Sequence, residues 1–211
     1  TLTVKKDLNV TGNITTSKTL DVTGSVSAAN LTNEGSVSVG GTLTVSGDVS
    51  NTNTITVVGK VIAEDVTNSG NLTFRNGAEI NDFINNGSGY ITGSTSANNI
   101  TNNEEKIFNI TGDVIAQNIT NKGDMDITGN AAAEVLISNS AALDVTGTLT
   151  TVDFTNNGTA NISENLISTG ILNNTDALTV EGHAGLNDVT NSGTLTLKNG
   201  ADIQQMIISL K

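Results

Sequence analysis

The chain has 211 residues, a net charge of −12, 22 glycines, no proline, no cysteine, four Phe and one Tyr. The acidic charge disfavours nucleic acid and anionic membrane surfaces as partners, since both bind clustered cations, and the missing Cys excludes disulfides and thiolate metal sites. No apolar run approaches the roughly eighteen residues of a membrane-spanning helix, so we expect no membrane insertion.

Apolar residues recur in sets of five from the first residues onward. Each set has two apolar–x–apolar pairs followed by a single apolar residue, and neighbouring sets lie 17 or 18 residues apart. In the fifth and the last set, this spacing assigns the single apolar position to Ile84 and Ile207. One complete set is Ile55, Val57, Val61, Ala63 and Val66. The sets begin at Leu2, Leu20, Val37, Ile55, Leu72, Phe108, Met125, Leu143, Leu178 and Leu195.

The alternation within each pair is typical of β-strands. A single set is too small to bury its own apolar face, so its stability must come from stacking on the sets before and after it. We therefore predict an all-β, single-stranded parallel β-solenoid (β-helix) of about 12 rungs of 17–18 residues, where a rung is one turn of the solenoid. At about 4.8 Å per rung the rod would be on the order of 55 Å long. By precedent we expect right-handed coiling.

An asparagine follows the single apolar residue by two positions in ten successive rungs. A side-chain amide carries two donors and an acceptor, and Asn tolerates the backbone of a tight corner. We predict a structural asparagine ladder at one corner of the solenoid, in preference to a ligand-binding column, because stacked amides satisfy one another. The predicted ladder residues are Asn33, Asn51, Asn68, Asn86, Asn102, Asn121, Asn139, Asn156, Asn174 and Asn191.

Residues 1–211 are interpreted as one continuous β-helix segment, cut from a longer array that grew by duplication. Residues 67–84 recur almost unchanged as residues 190–207. Between the two duplicated blocks, residues 85–106 are predicted to form an irregular rung or a loop, since the period places Ser96 and Asn98 at core positions.

This irregular stretch contains the one tyrosine of the chain, Tyr90, together with Glu104 and Glu105. Loops on a rigid scaffold often carry function, and aromatic side chains dominate the energy of many interfaces. We predict that these three residues form a partner contact, if the segment binds a partner.

The recurring phrases "LTNEGSVSV", "VTNSGNLTF", "ITNKGDMDI" and "VTNSGTLTL" resemble those of secreted bacterial β-helix exoproteins of the filamentous-haemagglutinin and autotransporter-passenger adhesin type. The resemblance covers nearly the whole chain. It implies a rod outside the cell or on its surface that binds a host or neighbour-cell surface protein or glycan. "TLTVSGDVS" is also similar to phage tail-fibre repeats, and the rung length is similar to that of bactofilins, which form filaments.

No catalytic, cofactor-binding or metal-binding residues are predicted. The one histidine, His183, has no Ser or Cys that the pattern brings near it. Asp21, Asp126 and Asp144 fall at outward positions and are interpreted as a solvated face, and they interrupt the Thr array that ice binding would need. The "VTG" glycines mark turns, because a phosphate loop requires a following helix.

The sequence thus predicts a non-catalytic structural or adhesive rod. A self-assembling extracellular filament is the alternative, since the open sheet edges at both ends would allow end-to-end association. A phage tail-fibre stalk and a carbohydrate-active β-helix are further alternatives.

Overall fold

The computed structural model describes residues 1–209, and every regular element within this range is a β-strand. The first three rungs contain three short strands each: β1 (Leu2–Val4), β2 (Leu8–Asn9), β3 (Ile14–Thr16), β4 (Thr19–Val22), β5 (Val26–Ala28), β6 (Leu31–Asn33), β7 (Ser36–Val39), β8 (Leu43–Val45) and β9 (Val49–Asn51).

Each later rung contains one short and one long strand. In chain order these strands are β10 (Thr54–Val57), β11 (Val61–Asn68), β12 (Asn71–Phe74), β13 (Ala78–Asn85), β14 (Ser88–Thr92), β15 (Thr95–Asn102), β16 (Ile107–Thr111), β17 (Val114–Asn121), β18 (Asp124–Ile127), β19 (Ala131–Asn139), β20 (Ala142–Val145), β21 (Leu149–Asn156), β22 (Thr159–Ile162), β23 (Leu166–Asn174), β24 (Ala177–Val180), β25 (Ala184–Asn191), β26 (Thr194–Leu197) and β27 (Ala201–Ile208).

The strands form two parallel sheets that run the length of the rod. The first sheet has 12 strands and follows the order β1-β4-β7-β10 through to β26, so each rung contributes one strand to it. The second sheet contains the remaining strands, in which β3, β6 and β9 form a short third column that merges into β11. The predicted all-β solenoid of about 12 rungs is confirmed, and its right-handed coiling stays a prediction.

The core is a stack of equivalent inward residues. In the fourth rung, for example, Ile55, Val57, Val61 and Val66 are all fully buried, and Ala63 lies beside them. In-register pairing places each inward side chain on its counterpart in the next rung, such as Ile55 on Leu72. Because the rungs are only a strand spacing apart, aliphatic side chains fill most of the interior, and Phe74, Phe83, Phe108 and Phe154 are buried among them.

The predicted single apolar positions Ile84 and Ile207 were wrong. Phe83 pairs with Val66 and is buried, whereas Ile84 pairs with Thr67 and is 38% exposed. At the end of the chain Met206 likewise pairs with Val189, and Ile207 is exposed. The rung is one residue shorter at these places than the spacing assumed, and two adjacent apolar residues make either choice compatible with the hydrophobic pattern.

The predicted irregularity of residues 85–106 was largely wrong. They form the regular strands β14 and β15, and Thr95 and Ala97 face the core instead of Ser96 and Asn98. The extra length is confined to the turn after Asn102, in which Glu105 adopts a φ of 60°. Three of the inward residues here, Gly89, Thr95 and Ala97, are small or polar, so the apolar signal of this rung in the sequence rests on Ile91 and Ile100 alone.

Gly89 occupies an inward position of this rung, and its missing side chain makes room for two aromatic rings. Phe83, from the preceding rung, and Phe108, from the following one, stack with ring centroids 4.6 Å apart and nearly parallel planes. A Cβ atom at Gly89 would lie 2.7 Å from Cδ2 of Phe108, well inside van der Waals contact. The small residue and the ring pair therefore form one packing unit.

Gly89→Ala should consequently destabilise the rod. The added methyl overpacks the core against Phe108, which we expect to lower the free energy of unfolding by about 1–3 kcal/mol in thermal or urea denaturation. Gly185→Ala is the matched control, because a Cβ there meets no atom within 4 Å. The control should be neutral or slightly stabilising. Equal stability of the two variants would contradict this packing.

Candidate functional site

A column of ten buried asparagines forms the corner at the C-terminal ends of the second-sheet strands, from β6 to β25. Except for that of Asn191, each Nδ2 donates to Oδ1 of the asparagine in the next rung, over distances of 2.7 Å from Asn33 to Asn51 and 3.0 Å from Asn102 to Asn121. The column starts beside Thr16 and stops at Ile208, which pair with Asn33 and Asn191 respectively. The members are Asn33, Asn51, Asn68, Asn85, Asn102, Asn121, Asn139, Asn156, Asn174 and Asn191.

Each amide also joins its own turn to the next rung. Nδ2 of Asn33 lies 3.0 Å from the carbonyl oxygen of Gly35 and 2.8 Å from that of Thr54, and its Oδ1 accepts a bond from the backbone N–H of Gly35 at 3.1 Å. With Oδ1 of Asn51, the Nδ2 group of Asn33 has three acceptors but only two hydrogens. One of the two hydrogens is therefore shared between two acceptors. The ladder satisfies polar backbone groups that would otherwise be buried without partners, which is a structural function.

One residue of the predicted ladder was wrong. Asn85, not Asn86, lies in the column, donating to Asn102 and accepting from Asn68 at 2.9 Å in both bonds. Asn86 lies outside the column, half-buried, and accepts a bond from Asn103. The wrong ladder residue has the same cause as the wrong core residue Ile84. Phe83 and Ile84 are adjacent apolar residues, and Asn85 and Asn86 are adjacent asparagines, so the sequence pattern fits either choice.

Substituting the two asparagines in turn tests this register. Asn85→Leu should lower the free energy of unfolding by about 1–3 kcal/mol, because it leaves Oδ1 of Asn102 without its side-chain donor and removes the donor to the carbonyl oxygen of Gly87. Asn86→Leu should have a much smaller effect in the same urea denaturation. A larger loss of unfolding free energy for Asn86→Leu than for Asn85→Leu would show that Asn86, not Asn85, lies in the ladder.

The first sheet presents a second, outward column. Its residues pair in register from rung to rung, and they are predominantly Thr, Ser, Asn and Asp. Tyr90 fills the place between Thr73 and Asn109. The column reads Thr3, Asp21, Ser38, Thr56, Thr73, Tyr90, Asn109, Asp126, Asp144, Asn161, Thr179 and Thr196.

The three predicted contact residues lie on two different features. The Tyr90 side chain is 45% exposed and projects from a strand in the face of the first sheet. Glu104 and Glu105 are exposed in the turn between β15 and β16. The three residues predicted to lie in one loop are therefore an aromatic side chain on a sheet face and two acids in a neighbouring turn, and their contact with a partner stays a prediction.

The carboxyl group of Asp126, in the outward column, has a shifted pKa. Desolvation raises its pKa above the ordinary value, and the negative charges of Asp144 and Asp124 add to the shift. Asp144 is the in-register neighbour of Asp126 and receives a bond of 2.7 Å from Nδ2 of Asn161 on its other side. Like charges are thus stacked one rung apart on this face.

Because the folded-state pKa of Asp126 lies above its unfolded value, folding disfavours the ionised form. This destabilisation is present at neutral pH and disappears as the pH falls below both values. Asp126→Asn should therefore raise the melting temperature at pH 7, with the difference from the wild type closing toward pH 3. Asp21→Asn is the control, since its in-register neighbours are the hydroxyl residues Thr3 and Ser38. A melting-temperature difference between Asp126→Asn and the wild type that stays constant with pH would contradict the role assigned to the Asp126 charge.

The single histidine forms a surface pair. Nε2 of His183 lies 3.2 Å from Oδ2 of Asp202 in the next rung, and both side chains are exposed. Among residues 1–209, no three His, Asp or Glu side chains converge closely enough to hold a metal ion. In the same range no helix has the length and apolar character to cross a membrane.

The second sheet has an exposed feature that sequence reasoning missed. Several branched apolar side chains point outward between β17 and β23, although outward positions elsewhere on the rod are predominantly polar. Their alternation with inward residues is visible in the sequence. The sequence does not show that these side chains align on one surface, because local bulges shift the pairing register between the strands.

Comparison with models of protein families, with characterised proteins and with solved structures finds no match for this chain. The fold and the surface features described above therefore stand on the geometry of the chain itself.

Proposed function

We propose that the chain is a non-catalytic rod segment of a bacterial cell-surface or secreted exoprotein, with a structural and adhesive role. The observation that carries this proposal is the continuous stack of rungs, in which the first sheet pairs without register shifts and one ladder of amide bonds joins successive rungs. Such a stack gives a stiff spacer, because bending it would strain backbone and side-chain bonds in every rung at once.

The character of the surface supports the same role. The outward columns of the first sheet are composed mainly of short hydroxyl, amide and carboxylate side chains, which keep an extended rod soluble. The resemblance of the recurring Thr-Asn phrases to adhesins of the filamentous-haemagglutinin and autotransporter type supports a role outside the cell.

For an adhesive contact we propose a host or neighbour-cell surface protein or glycan at Tyr90. An exposed aromatic ring, flanked in register by Thr73 and Asn109, combines a stacking surface with hydrogen-bonding groups. Glu104 and Glu105 would contribute at the adjoining corner.

A glycan array combined with a reducing-sugar assay tests this function. The rod should bind a subset of glycans without releasing reducing ends, and Tyr90→Ala should weaken binding by about tenfold or more. Thr179→Ala, in the same column but five rungs away from Tyr90, is the control and should retain most of the affinity. Release of sugar ends would replace the adhesive role with a carbohydrate-active one.

End-to-end self-assembly is the second candidate, and the exposed ends of the core favour it. In the described rod, Leu2 and Met206 occupy inward positions of the two end rungs, and both side chains are exposed. Open parallel edges can pair with the opposite end of a second copy, and such head-to-tail contacts propagate into filaments.

Sedimentation velocity over a range of protein concentrations tests this second candidate. The wild type should sediment faster as its concentration rises, while a Leu2→Glu, Met206→Glu double variant, with like charges at the joint, should remain monomeric. Val58→Glu, on the side of the rod, should assemble as the wild type does. A wild type that stays monomeric at all concentrations would eliminate the filament.

A further inference from the structure

We propose that an apolar strip on the outer face of the second sheet docks a basic amphipathic α-helix of a partner protein. The strip consists of Ile115, Val135, Val152, Ile167 and Ile171. This inference rests on the proposed role as a non-catalytic rod and adds the chemistry of one partner. It concerns a different face from Tyr90.

The strip concentrates exposed apolar area in four successive rungs, β17, β19, β21 and β23. Its five side chains are between 40% and 55% exposed. Ile115 and Ile167 lie in one outward column, with Ala132 and Thr150 between them in register. Clustered exposed apolar side chains on a soluble protein commonly mark an interaction surface.

On the two long strands that precede the strip, the corresponding positions are polar, whereas β11 presents one exposed isoleucine, Ile62. β13 presents Glu79, Asn81 and Asp82 outward, and β15 presents Ser96, Asn98 and Asn99. A cluster of exposed apolar side chains at these positions is therefore a property of the strip, because β11 carries a single exposed isoleucine there.

Bulges accompany the strip. The pairing register shifts between β17 and β19, between β19 and β21, between β21 and β23, and between β23 and β25. Buried hydroxyls hold this backbone: Thr151 Oγ1 donates to the carbonyl of Asp153 at 2.9 Å, and Ser168 Oγ donates to the carbonyl of Val152 at 3.0 Å. Bulges re-aim side chains, and here they turn Val135 and Ile171 toward solvent in a fixed geometry.

The strip continues into an open groove at the next rung. Gly185 follows Ile167 in the outward column, and no atom lies within 4 Å of where its Cβ would be. The groove has a volume of about 460 Å³ and is lined by Ile167, Gly185, Asn187, Asp202 and Gln204, among others. Strip and groove together run for about 20 Å along the rod at the strand spacing of about 4.8 Å.

The charge of this half of the rod identifies the partner. Residues 123–197 contain no Lys or Arg, and their acidic residues are Asp124, Asp126, Glu134, Asp144, Asp153, Glu164, Asp176, Glu181 and Asp188. Glu134 and Asp153 flank the strip directly. A complementary partner carries an apolar face with Lys or Arg on both sides. A second copy of this chain would instead place acidic surface against acidic surface.

The position of the strip favours a helix over a strand. Strand addition requires an open sheet edge, and the strip lies in the face of the sheet, where its backbone groups are already paired with neighbouring rungs. A helix rises 1.5 Å per residue, so one of about 13 residues spans 20 Å. Its apolar residues at positions i, i+3, i+4 and i+7 would follow the strip.

A synthetic helix with leucines at those positions and lysines elsewhere provides the probe, and its binding is measured by fluorescence anisotropy at physiological salt. The wild-type rod should bind one peptide. The Ile115→Thr, Val152→Thr, Ile167→Thr variant should bind it at least about tenfold more weakly. Threonine keeps the β-branched shape, so the β-sheet circular-dichroism signal should be unchanged.

The matched control is Val58→Thr, Ile62→Thr, Ile107→Thr, which removes exposed apolar side chains away from the strip and leaves the net charge unchanged. It should bind as tightly as the wild type. Equal binding by both triple variants would reduce the interaction to general charge attraction and overturn the proposal, as would absence of binding by the wild type.

A peptide with glutamates in place of the lysines should fail to bind, and tight binding by it would also overturn the charge argument. If the wild type forms dimers that are lost in the Ile115→Thr, Val152→Thr, Ile167→Thr variant but kept in the control variant, the strip binds a second copy of the chain and the proposal is wrong. None of these outcomes alters glycan binding at Tyr90, so failure of this inference is distinguishable from failure of the proposed function.

Discussion

The whole structure depends on the in-register stacking of rungs that cannot bury their own apolar faces. Each rung contributes a few aliphatic side chains, and these become buried only when a neighbouring rung covers them. The same register that aligns Ile55 with Leu72 aligns Asn51 with Asn68. Hydrophobic burial and the amide ladder are thus two consequences of one alignment, and a shift of a single residue would disturb both.

This constraint separates the interior from the surface. Inward positions must repeat, because each one packs on its own counterpart, whereas outward positions are free to vary within the limits of solubility. The rod uses that freedom unevenly. The first sheet presents short polar side chains interrupted by Tyr90, while part of the second sheet presents the apolar strip. A long stiff scaffold can therefore carry chemically distinct surfaces at defined distances along its axis.

The sequence was sufficient for the architecture because the hydrophobic period and the recurring asparagines report the same rung. The sequence was insufficient wherever two adjacent residues were equally suited to the same core or ladder position. Phe83 and Ile84 are both apolar, and Asn85 and Asn86 are identical, so only the backbone pairing decides between them. Residues 85–106 looked irregular because small inward residues hide the pattern. Among them, Gly89 is small for a reason that involves Phe108 from the following rung.

The surface features were harder to predict for a related reason. The outward column of the first sheet followed directly from alternation, since its strands pair without shifts. The apolar strip did not, because bulges change the count between inward residues: Ala131 and Ile137 are separated by one residue more than Leu149 and Phe154. An aligned surface on such strands becomes apparent only from the three-dimensional register.

Removal of one complete rung tests the central claim most directly. Deleting residues 140–156 joins Asn139 to Asn157 and should bring Asn139 onto Asn174, keeping every inward column in register. Thermal denaturation and small-angle X-ray scattering should then show a cooperatively folded rod shortened by about 4.8 Å. Deleting residues 140–148 removes half a rung and should abolish cooperative folding. If the complete-rung deletion unfolds as readily as the half-rung deletion, in-register stacking is not what holds this protein together.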